Sequence, residues 1–243
     1  MNSVLRTSRN NNCFPSVVTW LLLCCFGIHA QVILLVCIPG KQNTQKIQKN
    51  FDELLGPGKT MAFGRIKDLD ARLNASSDVA VIASEPFFTY TPGFTVFLSG
   101  TSDTSTGERY HIVAASGKIT ESNVVNRKVG IVDFLGKERL PHFVEDQFGL
   151  ELQTMKRVNK EEDLLTMIGM EMVDAVIVSA TRFREMQSNT KLPLRIIASS
   201  KNRIGFAAYG RITGNEKKTI RNVLLGAPET ILREIGIDGW ESP

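Results

Sequence analysis

Along most of the chain, short unbroken apolar runs alternate with stretches whose apolar residues recur at helical spacing. Val32 to Ile38 is a continuous apolar run ending at Pro39-Gly40, the pattern of a central strand in a parallel sheet. Thr44 to Leu55 follows with Ile47, Phe51, Leu54 and Leu55 on one helical face, and stops at Gly56-Pro57-Gly58. Thr60 to Gly64 predicts a short strand, Asp68 to Leu73 a short helix, and Asp78 to Ala83 a third buried strand. Strands alternating with helices in this way imply βαβ units and a mainly parallel sheet.

Thr95–Ser99 and Tyr110–Ala115 predict a strand pair around the polar stretch Gly100–Glu108, after which a second cycle begins. Lys128–Phe134, Leu152–Val158 and Val173–Val178 predict strands, with helices over Leu140–Phe148 and Glu161–Met172 between them. Leu194–Ala198 and Ile204–Tyr209 predict two late strands, and Glu216–Gly226 and Pro228–Ile235 two closing helices. Two such cycles and a returning strand describe an α/β fold of two lobes, each a mainly parallel sheet flanked by helices, joined by two hinge crossovers. Residues 31–114 plus 203–243 are expected to form lobe 1, and residues 115–202 lobe 2. Ligand groups in such folds lie outside the carboxyl ends of the strands and near helix N-termini, so the cleft between the lobes is the expected site.

The first thirty residues change the picture. Arg6 and Arg9 precede an apolar run from Val17 to Phe26, no acidic residue occurs before Asp52, and Gly27-Ile28-His29-Ala30 offers a small residue for cleavage. Residues 1–30 are expected to be a signal peptide, with Gln31 as the mature start and the mature chain periplasmic or otherwise extracytoplasmic. A membrane anchor over residues 17–38 is the alternative, but His29 and Gln31 interrupt a stretch that should hold about 20 apolar residues. Cleavage removes two arginines and no acids, taking the formal net charge from +4 to +2. No Lys/Arg block marks a nucleic-acid groove, so nucleic acid is not expected as a partner. Cleavage also leaves Cys37 as the single cysteine, inside an apolar run, so the mature fold is expected to rest on its core without an intramolecular disulfide.

Candidate chemistry is sparse. Gly56–Thr60 ends like a phosphate-binding loop, but Glu53 stands where that motif needs glycine, and the segment follows a helix instead of preceding one. His111 and His142 have no metal-ligand spacing, and no serine has a nucleophile-elbow context. No catalytic role, metal or cofactor is expected. The strand-end rule instead selects Lys41, Ser84 and Glu85 in the first lobe, and Ser179, Thr181 and Arg182 in the second, as ligand-binding residues. Arg65, Arg184 and Arg203 also adjoin predicted strands, and Ser99–Thr106 reads either as a hydrogen-bonding ligand loop or as an exposed turn. Phe87, Phe88 and Tyr90 fit core packing or a pocket wall.

Several of these segments together resemble a known family. Asp78-Val79-Ala80-Val81, the run Gly93–Ala115, the strand Lys128–Phe134, Glu171-Met172-Val173-Asp174-Ala175 and the ending Glu229–Trp240 resemble, in order and spacing, type II periplasmic binding proteins. The similarity covers nearly all of residues 31–243 and is nearest the phosphate/phosphonate-binding branch of ABC-transporter substrate-binding proteins. The resemblance implies a monomer that closes like a Venus flytrap on a small solute, without catalysis, and delivers it to an ABC permease. A membrane receptor kinase as sensor partner, an enzyme on the same fold, and an anchored interaction domain are the alternatives. In that branch the loop opening the second-lobe helix is rich in Ser and Thr. Here it is Asp133–Glu138, with no hydroxyl, so the resemblance places Asp133 and Lys137 at the ligand in their stead.

Overall fold

The computed structural model describes residues 33–40, 43–76, 78–102, 105–115 and 117–243. The expected leader and Lys41 therefore lie outside the described residues. Gln31–Pro243 form one compact unit.

The apolar run at the start becomes β1 (Leu34–Cys37), in which all four residues are buried. It is followed by α1 (Thr44–Leu55), β2 (Thr60–Phe63), α2 (Ile66–Asn74), β3 (Ala80–Ser84), the short helix α3 (Glu85–Thr89) and β4 (Thr95–Thr101). The second cycle comprises β5 (Tyr110–Ala114), β6 (Lys128–Val132), α4 (Arg139–Phe148), β7 (Thr154–Val158), α5 (Glu162–Gly169), β8 (Ala175–Ser179), α6 (Ala180–Asn189) and β9 (Arg195–Ser199). The chain then returns through β10 (Phe206–Gly210), α7 (Gly214–Leu225), α8 (Glu229–Glu234) and β11 (Gly239–Glu241).

Two sheets result, ordered β11-β4-β10-β3-β1-β2 and β7-β6-β8-β5-β9. Each has a parallel half, β2-β1-β3 and β7-β6-β8, as the βαβ pattern requires. The rest of each sheet pairs antiparallel, because β10 and β5 enter from the opposite lobe and run against β3 and β8. The sheets are thus mixed. Tyr110–Ala114, expected to close lobe 1, belongs to the second sheet, where it pairs with β8 and β9. The first crossover therefore lies before residue 110: a strand with hydrogen-bonding partners on both edges stays with its sheet, whatever the sequence boundary.

Two helices were not evident from periodicity. α6 buries only Phe183 and Met186, too few positions to mark a face, and α3 is a five-residue turn opened by Pro86. Conversely, α5 ends at Gly169 instead of running to Met172, and Glu171 takes a left-handed φ of 55° in the turn that follows. Asp174 sits between that turn and β8; its carboxylate accepts the Lys128 amide hydrogen at 2.9 Å and aligns β6 beside β8.

Helices cover both faces of the first sheet. One core joins β1 and β3 to α7 and α8 through Ile220, Leu224 and Leu232. A second lies under α2, α3 and α4 and is shared by both sheets, with Leu69 and Phe87 on one side and Ile131, Leu135 and Phe143 on the other. Burial of such side chains stabilises by about 1.5–3 kcal/mol each. Among the described residues no helix is long and apolar enough to cross a membrane.

Candidate functional site: the interlobe cleft

The two crossovers run side by side. Glu108 and Ile204 exchange backbone hydrogen bonds of 3.1 and 2.9 Å, making a one-rung antiparallel hinge. The approach is so close that a Cβ on Gly107 (φ 102°) would stand 2.4 Å from the Ile204 carbonyl carbon. Glycine is the residue that permits both the φ and the contact. Glu85, at the start of α3, braces the same crossover: its amide donates to the Gly205 carbonyl at 2.9 Å and its carboxylate accepts the Gly205 N–H at 3.3 Å.

Beside this hinge a cleft of about 850 Å³ opens between the sheets. The carboxyl ends of the strands feed it, as strand direction requires: Pro39 after β1, Ser84 ending β3, Val132 ending β6 and Ser179 ending β8. The crossovers supply Ser102, Ser105, Glu108, Arg109, Arg203 and Ile204. The start of α6 supplies Thr181, Arg182, Arg184 and Glu185.

Of the residues selected from sequence, Ser84, Ser179, Thr181 and Arg182 line this cleft together. Arg203, Arg184 and, from the Ser99–Thr106 stretch, Gly100, Ser102 and Ser105 join them. Glu85 serves the hinge and is not among the lining residues. Asp133 and Lys137 do not line it either. The Asp133 carboxylate accepts the Gly136 N–H at 2.8 Å and pairs with Arg157 at 2.5 Å, so it is spent on closing its own loop and on tying β7. Lys137 is exposed. Arg65 pairs with Asp68 on α2 and borders a separate, smaller cavity.

Charge of both signs lines the cleft, with Arg109, Arg182, Arg184, Arg203 and Arg233 against Glu108, Glu161, Glu185 and Asp238. Arg109 donates to the Ser200 carbonyl at 2.6 Å, Arg184 to the Thr181 hydroxyl at 3.0 Å, and Arg203 to the Ser105 hydroxyl at 2.8 Å and the Gly107 carbonyl at 3.1 Å. All of these acceptors are neutral, and the four carboxylates line the same cleft. Arg182 donates to Glu185 at 2.8 Å. The Ser179 side chain caps α6, accepting the Arg182 N–H at 3.2 Å. Burial, and secondarily Arg109, lowers the His111 pKa below its ordinary value, and its Nδ1 lies 2.8 Å from the Ser199 hydroxyl. Burial raises the Tyr110 hydroxyl above its usual range and pushes Tyr209, stacked on Phe88 at 3.6 Å, up to about 12. Burial also raises the Glu85 carboxyl, opposed by its bond from Gly205. Among the described residues no cluster of His, Cys, Asp and Glu is arranged to hold a metal.

Two hinge crossovers were expected from sequence, and the observed rung joins Glu108 to Ile204, with the first crossover earlier than the expected end of lobe 1 at residue 114. The signal of that rung is a glycine in each crossover, in Gly107-Glu108-Arg109 and in Arg203-Ile204-Gly205, and it becomes meaningful only once the two segments are known to touch.

No family model matches the sequence, and no curated protein is similar to it in sequence. The fold has clear counterparts among solved structures. A Xanthomonas citri protein bound to ATP superposes with a TM-score of 0.66 at 12% identity, over 88% of this chain and 92% of that one. A binding-protein component of an ABC phosphonate transporter from Pseudomonas aeruginosa gives 0.62 at 13% identity, over 87% and 81%. The Prochlorococcus marinus protein PhnD1 in complex with methylphosphonate gives 0.60 at 12% identity, over 87% and 92%. With its two helix-flanked sheets and paired crossovers, the chain has the two-lobed fold of type II periplasmic binding proteins.

Proposed function

We propose that this chain is an extracytoplasmic solute-binding protein that captures a small anionic solute in the interlobe cleft and delivers it to an ABC importer. It binds and releases; it does no chemistry. The observation that carries the reading is the cleft itself. It is small-molecule sized, it is fed by the carboxyl ends of strands from both sheets, and it lies beside a paired-crossover hinge. Arg109, Arg184 and Arg203, each facing a neutral acceptor, support an anionic solute in a cleft whose five arginines outnumber its four carboxylates by one. Likeness of fold to binding proteins of ABC transporters supports the transport role, and the leader expected over residues 1–30 supports export. Ligand would act by favouring the closed arrangement of the lobes over the open one.

A thermal-shift screen of the purified protein tests this, covering inorganic phosphate, phosphonates, sulfate, carboxylates, amino acids, sugars and polyamines. A solute at a hundred times its dissociation constant stabilises by about 2.7 kcal/mol. A melting shift confined to one anionic class is the expected result. No shift with any class would contradict the reading, and a shift with polyamines alone would contradict its charge preference.

A further inference from the structure

We infer that the turn between α5 and β8 is a binding site for a soft metal ion, Cu(I), held by the thioethers of Met167, Met170 and Met172.

Three of the chain's seven methionines fall within the six residues Met167–Met172. The backbone then folds them together. α5 ends at Gly169 and Glu171 takes its left-handed φ of 55°. The Met172 N–H returns to the Met167 carbonyl at 2.9 Å, and the Met170 N–H bonds the Thr166 carbonyl at 2.9 Å. This is the six-to-one closure of a helix C-terminus, which seats an apolar residue at 172 beside the one at 167. The methionines are not consumed by that contact. Met170 is 69% exposed and Met172 54%, the two most exposed large apolar side chains among the described residues, and Met167 is half-buried. Leucine would cap the helix equally well. What methionine adds is a polarizable sulfur carried on three rotatable bonds, so three sulfurs on one turn can converge on one ion.

Thioethers are soft, neutral donors, and they select Cu(I) over harder divalent ions. Among the described residues no group of three His, Cys, Asp or Glu is placed to hold a metal, so harder ions have no comparable site. Cys37 is buried in β1 and does not compete. Exposed Glu171 sets a negative charge beside the ion. Leu192 walls the turn, its Cδ1 3.6 Å from where a Cβ on Gly169 would stand. The turn precedes β8, and the far end of that strand, Ser179, reaches the cleft, roughly 13 Å away at about 3.3 Å per residue. None of the three methionines lines the cleft, so this site stands or falls separately from solute binding.

The test is anaerobic titration of the purified protein with Cu(I) in competition with ferrozine. Cys13, Cys24 and Cys25 are changed to serine in every protein compared, so that no accessible thiolate takes the metal. This parent, its double variant Met170→Leu/Met172→Leu and a control, Met61→Leu, are compared, with metal-free melting recorded for each. Met to Leu conserves volume and is well tolerated, so the variants should fold. The parent should take up one equivalent of Cu(I), bound at least about tenfold more weakly by the double variant and equally well by Met61→Leu. X-ray absorption at the copper edge should show a first shell of sulfur. No uptake by the parent, equal affinity in the double variant, a first shell of nitrogen and oxygen, or displacement of Cu(I) by Zn(II) would each overturn the inference. The first shell of the parent decides the matter even if the double variant fails to fold.

Discussion

Arg139, at the start of α4 on the second sheet, grips Asp70 on α2 of the first sheet through two hydrogen bonds, of 2.7 and 3.1 Å. The same guanidinium lies over the Phe87 ring, 4.8 Å from its centre, and donates to the Leu135 carbonyl. One side chain thus ties together a helix, an aromatic core residue and a loop from both lobes. The pair is largely shielded, with side-chain exposures of 22% and 32%, so it is screened less than a surface pair.

Arg139→Ala should therefore cost about 1–3 kcal/mol of stability, since it removes a bidentate pair and a ring contact and leaves Asp70 without its cation. Urea unfolding measures it. A loss below about 0.5 kcal/mol would mean the pair behaves as an ordinary surface ion pair.

Gly107→Ala forces a side chain into a left-handed φ of 102° and against the Ile204 backbone at 2.4 Å. The hinge must part or distort, at about 2 kcal/mol or more. Gly117→Ala is the control, because a Cβ there meets nothing within 4 Å; it should stay within about 0.5 kcal/mol of wild type. Equal melting temperatures for the two variants would remove the argument for a tight crossover pair.

Cys37 is fully buried in β1, and burial raises its thiol pKa far above the ordinary range. The reactive thiolate is therefore suppressed in the folded state. Peptide mapping after iodoacetamide treatment should find Cys37 unmodified in native protein and modified after denaturation. Rapid native labelling would show that β1 opens readily.

His111 gives a pH dependence with a definite sign. Its folded pKa lies below the ordinary 6.5, so as pH falls through 6.5 the unfolded chain takes up its proton first. This contribution to stability is complete above 6.5 and is lost progressively down to the lower folded pKa. Melting temperature should fall over that interval, and His111→Gln should flatten that part of the profile. Identical slopes for the two proteins would refute the assignment.

Much of the fold was legible because burial writes itself into sequence where a strand is covered on both faces. Leu34–Cys37, Ala80–Ala83 and Ala175–Val178 are apolar runs, and all are buried. What escaped was set by partners far away in the chain. Tyr110–Ala114 looks the same whichever sheet it joins, and only its pairing with Ser179–Ala175 decides. The strand-end rule brought Ser84, Ser179, Thr181 and Arg182 to one cleft, since strand direction alone fixes where their backbone emerges. Asp133 stands at an equivalent strand end, yet Gly136 and Arg157 turn its carboxylate to structural work, which no local pattern announces.

Solute binding by this protein requires that a small molecule sit between the two sheets, beside the crossovers. A crystal structure grown with the solute that gives the largest melting shift tests it most directly. Ligand density is expected in the cleft between Ser84 on one side and Ser179 to Arg182 on the other, with an anionic group against a guanidinium. Ordered ligand on an outer face, with the cleft holding only water, would contradict it.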